Sequence, residues 1–191
     1  GGTPAFLQTI KTALSIQLKE KMGVKNIIDR EHELHEIIWE KFEKLENAHV
    51  LAANFSDRLG IYSFYIDDLH FNLAVQLLND KYGIQVRGGC SCAGTYGHML
   101  LDVDINFSHN ITDQIDEGDL SLKPGWIRMS IHPTMTDEEM HFIMNAIEDV
   151  AKNHKDIGAD YTYNNQTNEF VYKDNSFSEM NGERAKSWFE L

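Results

Sequence analysis

Apolar residues recur along the chain in two rhythms, steps of three and four and steps of two, and the changes of rhythm mark out its elements. Thr3-Pro4 has the form of a helix start, a hydroxyl cap followed by proline at the first helical position. Leu7, Ile10, Leu14, Leu18 and Met22 then fall on one face, and Gly23 closes the helix. A second helix is predicted from about Asn26 to Glu46, with Ile27, Leu34, Ile38, Phe42 and Leu45 on its buried side. His32 and His35, three apart, have a spacing that could ligate metal, but their charged neighbours mark both as solvated surface residues.

The rhythm then shortens. Residues 49–53 and 61–66 read as strands, rich in β-branched and aromatic side chains and joined by the turn-like Asn54-Phe55-Ser56-Asp57. Asp67 or Asp68 is expected to cap a third helix bearing Phe71, Ala74, Val75 and Leu78, which Gly83 ends. Residues 84–87 form a short strand leading into Gly88-Gly89-Cys90-Ser91-Cys92-Ala93-Gly94. From Thr95 to Gly125 no period is evident, and a long polar connection, a lid or interface loop, is expected.

Residues 126–132 return to strict alternation. Ile127, Met129 and Ile131 point one way and Trp126, Arg128, Ser130 and His132 the other, so Arg128 is off the core face. Thr136 and Glu139 make a capping box, and Met140, Ile143, Met144, Ile147, Val150 and Ala151 line an amphipathic helix ending near Gly158. Two short strands, 161–163 and 169–172, flank Asn164-Asn165-Gln166-Thr167-Asn168 as a hairpin, and a last helix is predicted over about 178–189. The fold class is therefore α+β: a small, mostly antiparallel sheet with helices packed mainly on one face. Residues 1–158 are expected to form the domain, and 159–191 a C-terminal extension of hairpin and helix.

With 191 residues, 42% hydrophobic and 25% charged, the chain can bury one core. A net charge of -13 argues against nucleic acid or an anionic membrane as partner. No apolar run approaches the roughly 20 residues of a membrane span, and the N-terminus lacks a signal pattern, so a cytoplasmic location is expected. The two cysteines, separated by Ser91 alone, are read as free thiols of a reducing compartment, because a bridge between them would be strained.

Three readings of the cysteine loop are open on the residues alone. Both thiols could be small buried residues at a strand end. Cys90, Cys92 and His98, with His132, could hold zinc, although paired zinc cysteines usually have two or more residues between them and no second pair exists. Or a thiolate could be held reactive by Arg87 and by inward-turned N–H groups of the glycine-rich loop. Arg128, fixed on its strand, offers a guanidinium fork for a carboxylate, and Gly2-Thr3 at a helix start offers N–H groups to a phosphate.

The run from Arg87 to Ala93 resembles the active-site loop of cysteine desulfurases and related class V aminotransferase-fold enzymes, whose Arg-x-Gly-x-x-Cys-Ala pattern carries the persulfide-forming cysteine. Gly2-Thr3-Pro4 looks like that family's Gly-Thr-Pro motif, and Arg128, in a strand followed by a Thr-x-Glu-Glu helix start, looks like its substrate-carboxylate arginine. The resemblance covers about residues 1–155. It implies the small C-terminal domain of a fold-type I enzyme using pyridoxal phosphate, a cofactor bound mainly by a lysine-bearing large domain upstream.

By the same resemblance Cys92 is the catalytic nucleophile, Arg128 and Arg87 bind the amino-acid substrate, and Gly2 and Thr3 contact the cofactor phosphate, often across a homodimer interface. Asn153-His154-Lys155 lies downstream of the cysteine, on the wrong side for the cofactor lysine. The chain is thus expected to be a piece of a longer enzyme and inactive without its large domain. An aminotransferase or lyase acting on another amino acid, and a free-standing metal-binding or interaction module, are the alternatives.

Overall fold

The computed structural model describes residues 2–90, 94–174 and 176–189. A four-stranded, wholly antiparallel sheet has the order β1 (Ala48–Val50), β2 (Ile61–Ile66), β4 (Trp126–Ser130), β3 (Arg87–Gly89). On one face Tyr62 pairs across from Met129 and Phe64 from Ile127. That face is covered by α2 (Val24–Phe42), α3 (Phe71–Tyr82) and α6 (Asp137–Ile157). Leu34, Ile38, Phe42, Ala74, Leu77, Met140, Met144, Ile147 and Val150 are buried there, and the Phe42 ring meets both Tyr62 and Phe64. Burying each of these side chains other than Ala74 contributes about 1.5–3 kcal/mol, so the three helices and the sheet hold one another.

Local signals explain the boundaries. The capping box is present: the Thr136 side chain accepts from Glu139 N and the Glu139 carboxylate accepts from Thr136 N. Gly83 ends α3 in the left-handed conformation, with φ +67°, that an L side chain seldom adopts. The cap of α3 is His70, not Asp67 or Asp68, because its Nδ1 accepts from Asn72 N. The strand near residue 49 is shorter than expected, and residues 51–54 turn instead.

The apolar stripe of α1 (Phe6–Met22) is left open: none of its residues is buried, and Leu7 and Leu14 are 69% and 60% exposed. Further expectations are overturned. Thr3 does not cap this helix, since Ala5 occupies the cap position without any side-chain bond. His35 is not a surface residue but 5% exposed, edge-on against Tyr62, while His32 is exposed as read.

The stretch between the cysteine loop and β4 is helical, not irregular. It holds α4 (Gly94–Leu100) and α5 (Ile105–Asp116), the latter capped by Asp104 accepting from Asn106 N and Phe107 N. Beyond α6 and a short 3-10 turn come the hairpin β5 (Tyr161–Asn164) and β6 (Glu169–Tyr172), then α7 (Ser176–Ser187). The hairpin is fastened to the domain. Asn72 Nδ2 donates to Asn168 O at 2.5 Å, Leu120 N to Asn165 O at 2.8 Å, and the Tyr161 hydroxyl to Asp80 at 2.8 Å.

Candidate active site

The register of β4 decides which side chains meet. Arg128 is paired with Ser63 of β2 on one side and with Arg87 of β3 on the other, so the three form a row across the sheet on the face away from the core helices. The expected alternation holds here. Ile127 and Met129 are buried against the helices, and Arg128 is half-buried on the opposite side.

Two residues before Arg128, on the same face, Trp126 is 4% exposed. What covers it is α4: a Cβ added at Gly97 would lie 3.1 Å from the Trp126 ring and 3.6 Å from Cys90 Cβ. The helix that follows the cysteine loop is thereby seated on the arginine face. The indole Nε1 of Trp126 and the Nε of Arg128 are both buried donors without an acceptor among the described residues. Such groups cost about 1–3 kcal/mol each when left unpaired, so they mark a place for an acceptor. Neither Arg87 nor Arg128 has an ion-pair partner among the described residues.

The glycines of the loop are there for close approach. A Cβ at Gly88 would sit 3.0 Å from both Phe71 and Val75 and 2.9 Å from Asn72 Oδ1, all on α3. Gly89 has φ +112°, and a Cβ at Gly125 would be 2.8 Å from its Cα and 2.6 Å from the Phe71 ring. The strand edge therefore lies flat on Phe71 and delivers Cys90, a half-buried free thiol, at the mouth of a cleft of about 680 Å³. Cys92, with Ser91 and Ala93, lies outside the described residues.

The other site residues read from the sequence divide. Arg87, Arg128 and Cys90 are brought into one neighbourhood. Gly2 and Thr3 are exposed ahead of α1, with no hydrogen bond to the sheet among the described residues. His98 Nδ1 is bonded to Ser108 Oγ at 2.8 Å, and His132 to Thr134 Oγ1 at 2.7 Å. Cys90 follows the Trp126 end of the sheet, whereas His132 lies six residues along, roughly 20 Å away. No group of three possible metal ligands converges among the described residues. Trp126 was missed as a site residue, although its place two before Arg128 in an alternating strand puts it on the same face.

The sequence profile of Aminotransferase class-V matches residues 1–142. The chain belongs to that family. A probable cysteine desulfurase of Halalkalibacterium halodurans is 33% identical over 93 residues, 49% of this chain and 22% of that protein. A cysteine desulfurase of Haloferax volcanii is 25% identical over 91 residues, 48% of this chain and 21% of that one. Among solved structures, an apo cysteine desulfurase from Thermococcus onnurineus NA1 superposes with a TM-score of 0.57 at 25% identity, over 80% of this chain and 33% of its own. This class V member thus spans about a fifth of the curated relatives it matches. No helix among the described residues is long and apolar enough to cross a membrane.

Proposed function

We propose that this chain is the substrate-side domain of a cysteine desulfurase dependent on pyridoxal phosphate, completed by a lysine-bearing large domain. The observation that carries the reading is the row on β4: two buried donors, on Trp126 and Arg128, beside Arg87, with neither acceptors nor an ion-pair partner among the described residues. A substrate carboxylate would be an acceptor for Arg128 and Arg87, and the Arg128 fork would fix its plane. Support comes also from the family and from the two curated relatives named as desulfurases.

The donor set fits a site shared with the cofactor. Exposed Gly2 and Thr3 would hold its phosphate, across the interface of a homodimer. Pyridoxal phosphate supplies an electron sink for bonds breaking at the substrate's carbon atoms. This chain's part is to bind and orient. Arg128 and Arg87 hold the carboxylate, so that the substrate sulfur faces Cys92, whose thiolate accepts it as a persulfide while the substrate's carbon–sulfur bond breaks.

The test is made on the polypeptide that joins this domain to its large domain. Cys92→Ala should abolish sulfide release from cysteine while the visible absorption of bound cofactor persists. Sulfide release that survives the substitution overturns the assignment. A keto acid formed in place of alanine makes the enzyme an aminotransferase.

A further inference from the structure

The hairpin β5–β6 has no part in the function proposed above. It lies beyond residues 1–142, the part of the chain matched to the family, and its tip, residues 167–171, forms the outer wall of the cleft that holds Cys90. Two sets of bonds fasten it. At its base the Tyr161 hydroxyl donates to Asp80 at 2.8 Å and Lys173 N to Asp160 O at 2.8 Å. At its tip Asn72 Nδ2 donates to Asn168 O at 2.5 Å and Leu120 N to Asn165 O at 2.8 Å, while the Tyr163 hydroxyl donates to Asn168 Oδ1 at 2.8 Å.

The tip set is organised around His70. Its ring is stacked on Phe71, with centroids 4.4 Å apart, and lies 5.3 Å from the Tyr163 ring and 5.2 Å from that of Phe170, so it fills the space between α3 and both strands of the hairpin. Its Nδ1 accepts from Asn72 N at 3.1 Å, which caps α3 and fixes the residue whose side chain holds Asn168. Nδ1 can accept only while the imidazole is neutral. The proton is then on Nε2, which is buried and has no partner among the described residues.

A second proton is disfavoured in this setting. Burial holds the pKa of the ring below its ordinary value, opposed in part by Asn168. The new Nδ1–H would face the Asn72 N–H, donor to donor, and its charge would sit at the positive end of the α3 dipole. The elements packed on the ring bring no carboxylate to it: α3 presents Phe71 and Asn72, β6 presents Phe170, and β5 presents Tyr163, a phenol kept protonated by burial and by the charge of Asp119. Asp67 and Asp68, just before it in the chain, are bonded to His49 and Lys155.

We propose that His70 is a proton-operated latch: with its ring neutral it holds the hairpin tip on α3, and on protonation the tip swings out on its base contacts and uncovers Cys90. The base does not titrate with it. Burial works against the ionised form of Asp80, but hydrogen bonds from Gln76, Asn79 and Tyr161 outweigh it and hold the carboxylate below its ordinary range. An imidazole freed to water takes its proton at about pH 6.5, whereas the closed form stays neutral to lower pH. The closed form is therefore fully favoured above pH 6.5, and the open fraction should rise roughly tenfold between pH 7.5 and 5.5.

The bonds that a moving tip must break carry the test. Amide exchange at Leu120 and Asn72, corrected for the intrinsic effect of pH, should quicken about tenfold from pH 7.5 to 5.5, while Lys173 at the base keeps its protection. Relaxation of the Cys90 amide by a neutral gadolinium chelate should rise in step. His70→Asn, which keeps a cap acceptor that does not titrate, should abolish the pH dependence. Exchange at Leu120 that does not quicken, that quickens as much in His70→Asn, or that is matched at Lys173 overturns the latch, and a Cys90 amide that gains no relaxation overturns the uncovering. Should His70→Asn fail to fold, the ring of the unaltered chain decides. Its resonances are expected to titrate below pH 6.5, and titration at or above that value overturns the proposal.

Discussion

Arg87 and Arg128 are direct partners across the β3–β4 pairing, two guanidinium-bearing side chains on one face of the sheet. Like charges placed opposite one another destabilise a sheet, and the buried Arg128 Nε has no acceptor among the described residues. Arg128→Met keeps the stem and removes both costs. The chain should gain about 1 kcal/mol, which for its size raises Tm by roughly 2–4 °C. Thermal unfolding of the two forms checks this, and a lower Tm in the variant contradicts it. In the complete enzyme the same variant should lose amino-acid binding, so that stability and function move in opposite directions.

Gly125 stands where two backbones and a ring meet. In Gly125→Ala the new methyl would be 2.8 Å from Gly89 Cα and 2.6 Å from the Phe71 ring, and the backbone contact cannot be relieved by a rotamer change. Destabilisation of about 1–3 kcal/mol is expected, with increased reactivity of Cys90 toward iodoacetamide as β3 lifts from α3. Urea unfolding and alkylation rates measure the two effects; an unaltered midpoint would show that the strand edge is not seated as described.

The capping box of α6 secures the helix that packs against both α2 and α3. Thr136→Ala leaves Glu139 N without its side-chain acceptor and should cost about 1 kcal/mol. Thr136→Ser should restore most of that. Guanidinium titrations that place the alanine and serine variants together would remove the cap from the account.

Burial pushes the pKa of His35 below its ordinary value, opposed in part by Glu31. Burial does the same to His70, opposed by Asn168. The unfolded chain takes up these protons at about pH 6.5, and the folded chain only at lower pH. Stability is therefore full above pH 6.5 and falls as the pH drops from there through the lowered folded values. His35→Phe, which keeps an aromatic edge against Tyr62, should flatten that decline. Stability measured from pH 7.5 to 5 tests it, and an unchanged slope would exclude His35 as a source.

The legible parts were those where one pattern had one cause. Alternation in β4 placed Arg128 off the core because a strand buried on one face has no other arrangement. The Thr136 box set the start of α6 through local bonds alone. The apolar stripe of α1 was legible as a stripe, but amphipathicity records that a face is apolar and not what it touches. For α5 the reverse held: Ile111 is its one buried residue among those described, so little periodicity exists to find. His35 was misjudged by its neighbours in sequence, although its place three before Ile38 and seven before Phe42 puts it on the buried side. The meeting of Arg87 with Arg128 depended on the strand order β1-β2-β4-β3, which no local pattern encodes. The nucleophile assigned by resemblance, Cys92, lies outside the described residues.

That same order makes β3 the last strand of its sheet, three residues long and, among the described residues, paired with β4 alone. Every ladder that joins β1, β2 and β4 is complete without it. Amide hydrogens of residues 87–89 should accordingly exchange with solvent well before those of β2, through openings that leave the core intact. A thiol carried on such a margin, Cys90, can shift together with residues 87–89 without the rest of the domain being refolded to follow.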